Sequence, residues 1–346
     1  LITLLLSKSL SFMRVYQYNK SLVLESGEEL SEIEIAYHTW GKLNKEGNNV
    51  IWICHALTAN SAAQEWWKGL IGDGLAFDTK NYLVVCDNIL GSCYGTTGPA
   101  SKNPDTGRPF HSNFPAITVR DMAAVHELLR QHLNIKKIHL LVGGSMGGYQ
   151  ALEWCVMQPH LVRNLFLLTT SAKESAWGIA IHTAQRMAIE LDGGWQKENG
   201  GKEGLKIARA IGMLTYRGYE TFLKMQSDDE QDKLDDFKAS SYIKYQGEKL
   251  AARFSPHSYW LLTKAMDTHN LARGREDLTT VLQTIEAKTL IIGITSDILC
   301  PLAEQQIIAD AIPDATFAAI NSVYGHDGFL VETGAITKHL SAWLKP

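Results

Sequence analysis

Apolar and polar positions follow two rhythms along this chain, and the rhythm changes twice. Arg14 to Tyr18 and Ser31 to His38 read as antiparallel strands, the second alternating through Ile33, Ile35 and Tyr37. Asn49 to Cys54 and Tyr82 to Cys86 are almost continuously apolar, the pattern of strands covered on both faces. Pro115 to Met122 opens a helix in which Met122, Val125, Leu128 and Leu129 keep helical spacing. An apolar run from Ile138 to Val142 then leads through a glycine cluster into a helix from Tyr149 to Met157, and Leu161 to Leu168 gives the next strand. Strands and helices in this alternation predict a predominantly parallel α/β sheet.

From about Lys173 to Leu282 the strand pattern lapses. Helices are predicted over Ala176–Leu191, Gly204–Lys224, Asp232–Tyr245 and His257–Asp267. The sheet resumes at Lys288 to Ile294, a helix follows from Ala303 to Ile312, a short strand from Ala315 to Ile320, and a last helix runs to about Leu344. The expected organisation is a core begun by residues 13–172, a helical cap inserted by 173–285, and the rest of the core supplied by 286–346. Such a cap excludes water, shapes an acyl site or supplies dimer contacts.

The turn between Val142 and Tyr149 carries the chemistry. Gly143-Gly144-Ser145-Met146-Gly147-Gly148 is a G-x-S-x-G sequence with a strand before it and a helix after it, the context of a nucleophile elbow. Glycines let strand and helix close on each other while the serine occupies a strained conformation. The serine hydroxyl then projects from the carboxyl end of the sheet, and the N–H of Met146 opens the helix toward a developing oxyanion. An acid and a histidine are expected later in the chain, in that order. Asp297 follows the strand that ends at Ile294, and His326 follows the last strand, so Ser145, Asp297 and His326 are the expected triad. Asp310 and Asp314 read as solvated and His339 as structural.

His55-Ala56-Leu57-Thr58 directly follows a buried strand, where this architecture places its second oxyanion donor. That donor is expected to be the N–H of Leu57, with His55 as a structural hydrogen-bonding residue. The glycine-rich loop from Asp87 to Pro99 is expected to line a pocket. It lacks the glycine-lysine-hydroxyl ending of a nucleotide-binding loop.

Composition narrows the field further. The 346 residues carry a net charge of −4, with acids and bases mixed throughout, which argues against nucleic-acid or polybasic membrane partners. The five cysteines, Cys54, Cys86, Cys93, Cys155 and Cys300, form no C-x-x-C pair, which suits free thiols in a reducing cytoplasm. No H-E-x-x-H or clustered cysteine-histidine set suggests a metal. Residues 1–12 include an apolar run too short to span a bilayer and read as a poorly ordered leader, with Met13 as the natural start.

Several motifs, in order, go beyond the general fold. They are His55-Ala56-Leu57-Thr58, Trp66-Trp67, Asp87-Asn88-Ile89-Leu90-Gly91 with Cys93-Tyr94-Gly95, Arg120-Asp121-Met122, the elbow with Gln150-Ala151-Leu152-Glu153-Trp154, Leu214-Thr215-Tyr216-Arg217, Tyr245-Gln246-Gly247, Arg273-Gly274-Arg275, Ser296-Asp297 and Gly325-His326-Asp327-Gly328-Phe329-Leu330. In these the chain resembles the homoserine O-acetyltransferase family of α/β-hydrolase enzymes, from about Ser31 to Leu344. The resemblance implies a ping-pong transfer in which Ser145 takes an acetyl group from acetyl-CoA and passes it to the hydroxyl of L-homoserine. It implies no tightly bound cofactor, Arg217 against the acceptor carboxylate, Asp327 near its ammonium, and a homodimer formed through the cap helices. The chain departs from the family pattern at Ser92, where glycine is common, and after Ala59-Asn60. A succinyl donor, a serine acceptor, a serine esterase or thioesterase, and a non-catalytic binding protein are the alternatives.

Overall fold

The computed structural model describes residues 12–345. The expectation for residues 1–12 therefore lies, Phe12 apart, outside the described residues. Eight strands form the main sheet: β1 (Arg14–Tyr18), β2 (Ile33–Trp40), β3 (Val50–Cys54), β4 (Leu83–Asp87), β5 (Leu140–Gly144), β6 (Asn164–Leu168), β7 (Lys288–Ile294) and β8 (Ala315–Ile320). Their spatial order is β1-β2-β4-β3-β5-β6-β7-β8. The β1–β2 and β2–β4 pairs are antiparallel and every other pairing is parallel.

The period-two alternation of the strands splits the core into two layers. Val50, Trp52 and Cys54 of β3 face one layer with Val85, Leu141 and Leu167, while Ile51 and Ile53 face the other with Val84, Val142 and Phe166. The first layer is covered by α1 (Val119–His132) and α2 (Met146–Met157) through Met122, Val125, Leu152 and Trp154. The second is covered by Trp67, Phe77 and Phe329, together with Ile336 and Leu340 of the terminal helix Thr333–Trp343. Helix α1 starts where it does because Thr118 and Asp121 form a reciprocal capping box.

The chain between β6 and β7 holds α3 (Ala176–Glu190), α4 (Lys202–Tyr216), α5 (Tyr219–Gln226), α6 (Lys238–Ala251), α7 (Pro256–Asp267) and the short α8 (Leu278–Gln283). Two of the predicted helices need correction here. The stretch expected to be one helix from Gly204 to Lys224 is two, because Arg217 turns extended (φ −110°, ψ 139°) and Gly218 lies against the backbone of the β8 exit loop. A Cβ on Gly218 would sit 2.5 Å from the Val323 carbonyl oxygen. The helix expected over Asp232–Tyr245 starts at Lys238 instead. Asp236 takes φ +56°, which no α-helix includes, and the Asp228 carboxylate accepts from the N–H of Lys238. That helix runs on through Gly247, whose missing side chain admits the Lys206 backbone of α4.

Candidate active site

Ser145 stands at the junction of β5 and α2 with φ 55° and ψ −130°, a conformation that costs a non-glycine residue energy. Its surroundings hold it there. Its N–H donates to the Leu168 carbonyl at the end of β6, and its own carbonyl accepts from the Thr170 hydroxyl at 2.8 Å. The flanking glycines answer to specific neighbours. A Cβ on Gly147 would lie 2.0 Å from the Cys54 carbonyl oxygen, one on Gly148 2.3 Å from Thr170 Oγ1, and one on Gly144 2.7 Å from the Phe329 ring. A side chain at Gly147 or Gly148 would push α2 away from β3 or from the exit of β6, and one at Gly144 would displace the Phe329 ring on the other face of the sheet.

The structure brings the other two expected residues to the serine. His326 Nε2 lies 2.8 Å from Ser145 Oγ, and His326 Nδ1 lies 2.7 Å from Asp297 Oδ2. His326 sits in a single helical turn, Gly325–Asp327, after β8. Asp297 follows β7, and its second oxygen accepts from the N–H groups of Leu299 and Cys300. Ser296 joins the two loops: its hydroxyl donates to the Ser322 carbonyl and accepts from the Gly325 N–H. Burial works to lower the basicity of His326, but the charged, hydrogen-bonded Asp297 outweighs it and holds the imidazole above the usual 6.5. A serine hydroxyl bonded to an imidazole that is bonded in turn to a buried carboxylate is the arrangement that activates an alcohol as a nucleophile.

The N–H of Met146 belongs to the first turn of α2, where no earlier carbonyl of the helix can accept it. Leu57 is buried on the loop that leaves β3, three residues beyond the Cys54 carbonyl that Gly147 touches. His55 is held on both ring nitrogens, with Nδ1 2.9 Å from the Ala56 carbonyl and Nε2 accepting from the Ile89 N–H. Burial drives its pKa to about 4, so the ring stays neutral. Arg217 and Asp327 meet each other: Arg217 Nε is 2.7 Å from Asp327 Oδ2. Burial raises the Asp327 carboxyl against the pull of Arg217 and Arg209. Tyr216, beside Arg217, brings its ring to 6.0 Å from that of His326, so the end of α4 lies over the imidazole.

Among the described residues, Asp297, Cys300 and His326 offer ligand atoms within 4.8 Å of one another. Both imidazole nitrogens are already engaged by Ser145 and Asp297. Burial holds the Cys300 thiol well above its ordinary range, so it stays protonated and is poorly suited to a metal. Among the described residues no helix is long and apolar enough to cross a membrane.

A family model described as alpha/beta hydrolase fold matches residues 49–333. The homoserine O-acetyltransferase of Cyclobacterium marinum is 47% identical over 320 residues, which cover 92% of this chain and 91% of that protein. The chain belongs to the homoserine O-acetyltransferase family. Among solved structures, the homoserine O-acetyltransferase from Bacillus anthracis superposes with a TM-score of 0.88 at 26% identity, covering 96% of this chain and 98% of the other. A mutant of esterase E22 superposes at 0.90 with 25% identity, covering 97% and 100%. The homoserine O-acetyltransferase fold is thus shared with an esterase.

Sequence reasoning singled out Ser145, Asp297, His326, Leu57, Met146, Arg217 and Asp327. It missed Thr170, Tyr216 and Phe329 as residues in contact with them. Tyr216 and Phe329 stood inside quoted motifs, whereas Thr170 carried no signal beyond its place after a strand.

Ser145 should be labelled by a fluorophosphonate, with a rate that falls as His326 takes up a proton. Because the folded pKa is raised, that fall should be centred above pH 6.5. A midpoint at or below 6.5, or a label on another residue, contradicts this reading of the site.

Proposed function

We propose that this chain acetylates L-homoserine on its side-chain hydroxyl, using acetyl-CoA as donor and Ser145 as the acyl carrier. The observation that carries the reading is the hydrogen-bonded line from Ser145 through His326 to Asp297, in a chain of this family. His326 removes the proton from Ser145 as the hydroxyl oxygen attacks the thioester carbonyl. The tetrahedral oxyanion is met by the N–H groups of Leu57 and Met146, each contributing roughly 3 kcal/mol. Collapse expels the CoA thiolate, which takes the proton back from His326. Homoserine then enters, His326 accepts the proton of its hydroxyl as that oxygen attacks the acetyl carbonyl, and collapse breaks the bond to Ser145 Oγ, which takes the proton back from His326. Asp297 holds the imidazole in one tautomer and balances its charge in both halves.

The Arg217–Asp327 pair suits a zwitterionic acceptor. An α-carboxylate accepts from the Arg217 guanidinium, and the ammonium turns to the carboxylate of Asp327. Each group then exchanges one ionic partner for another, so neither is left unpaired by substrate entry. Water offers neither charge, which is why an alcohol bound by this pair outcompetes hydrolysis. The reading places the protein in the cytoplasm, where acetyl-CoA and free thiols are at hand.

A homodimer completes the proposal. Leu214, Leu223 and Met225 of α4 and α5 are more than half exposed, apolar side chains that a second copy would cover. Sedimentation should show a dimer, which Leu214→Asp should weaken. A wild-type monomer at micromolar concentration contradicts this part.

Acetyl-CoA and succinyl-CoA, each offered with L-homoserine and L-serine, test the central reaction. O-acetyl-L-homoserine should dominate, and Ser145→Ala should lower its formation by roughly 10⁴-fold or more. Arg217→Met should raise KM for homoserine by about 10–100-fold, the value of a lost charged hydrogen bond, and leave the acetylation half-reaction unchanged. Preferred succinyl transfer, or hydrolysis indifferent to homoserine, overturns the reading.

A further inference from the structure

We propose that Gln150 is a positioning residue that fixes the spacing between the two oxyanion N–H groups, and that His126 and Asp87 lock its amide in place; this rests on the acyl-serine reading above. Gln150 lies one turn into α2. Its Nε2 donates to two carbonyls, that of Met146 at 3.1 Å and that of His55 at 3.2 Å. The first belongs to the helix turn that presents the Met146 N–H. The second belongs to the β3 exit loop, two residues before Leu57. One side-chain amide therefore ties together the two backbone segments on which the oxyanion donors ride.

The amide has only one workable orientation. Gln150 Oε1 faces His126 Nε2 at 3.0 Å, and His126 Nδ1 lies 2.7 Å from Asp87 Oδ2. Trp52 Nε1 donates to the other Asp87 oxygen at 3.1 Å. Burial opposes a charge on His126, but Asp87 prevails and holds the imidazole well above the ordinary histidine range. The carbonyls of Met146 and His55 can only accept, so they claim the two amide hydrogens of Gln150 and leave Oε1 facing His126 Nε2, which donates to it.

Gln150, His126, Asp87 and His55 are all fully buried. A buried ion pair seldom stabilises a fold more than apolar side chains of the same size. Here its consequence is orientation. Together with the His55 ring, which bonds the Ala56 carbonyl, it fixes two successive carbonyls of the loop that leads to Leu57. Oxyanion donors act only if they stand in place before the charge develops.

Gln150→Met keeps the length and removes both donors, and Gln150→Glu sets an oxygen against two carbonyls. Each is compared with wild type in the rate of acetylation by acetyl-CoA and in affinity for a trifluoromethyl ketone. The Ser145 oxygen adds to that ketone carbonyl, its proton passes to His326, and the carbonyl oxygen becomes the oxyanion. Both quantities should fall in parallel by about 10–100-fold. Affinity for CoA, which presents no carbonyl to this site, should stay within about two-fold. A merely structural role would not link rate to ketone affinity while sparing CoA. Trp52→Phe removes one bond to Asp87 and should show the same parallel loss on a smaller scale, which keeps the test open if the Gln150 variants do not fold. Wild-type rate and ketone affinity in Gln150→Met, or in Trp52→Phe where that is the variant that folds, overturn the inference. If Ser145→Ala retains activity, the acyl-serine reading fails instead.

Discussion

The close approach of α2 to the carboxyl ends of β3 and β6 is the constraint on which the rest of the structure depends. It is set by missing atoms. Gly147 meets the Cys54 carbonyl and Gly148 meets Thr170, at distances that exclude a methyl group. That approach forces Ser145 to a positive φ, and hydrogen bonds from Thr170 and to Leu168 keep it there. The strain is met by the packing of the whole sheet, since β3, β5 and β6 are buried along their full length. A looser core would let the elbow relax and the hydroxyl turn away from His326.

Everything else at the site is arranged around that fixed hydroxyl. His326 and Asp297 sit on loops after β8 and β7, at the same edge of the sheet, and Ser296 couples those loops directly. The end of α4 closes over the imidazole. Its break at Arg217 is the same event that places Arg217 beside Asp327, because Gly218 must lie against the β8 exit loop. One irregularity in the helical region thus both ends a helix and delivers a charge to the site.

The central strands were legible in the sequence because strands buried on both faces read as unbroken apolar runs. Lys288–Ile294 and Ala315–Ile320 were read with their observed ends, and the elbow was marked by its glycines. Helix boundaries in the cap were harder. A left-handed Asp236 and an extended Arg217 are set by tertiary contacts that periodicity does not record. Helix α8 was missed because six residues hold too little pattern, although Asp277 caps it through Thr279 and Thr280. The buried line from Asp87 through His126 to Gln150 was illegible for another reason. Its members are far apart in sequence, and each is a common residue type on an otherwise ordinary strand or helix. The partnership of Arg217 with Asp327 needed the fold as well.

The account makes Ser145 a transient carrier of the transferred group, and intact-protein mass spectrometry tests that most directly. After brief mixing with acetyl-CoA and acid quenching, the protein should gain the mass of one acetyl group, located on Ser145 by peptide mapping. Adding L-homoserine before the quench should discharge it with formation of O-acetyl-L-homoserine. An unmodified protein that still turns over both substrates would contradict the account, as would an acetyl group on any other side chain that homoserine discharges.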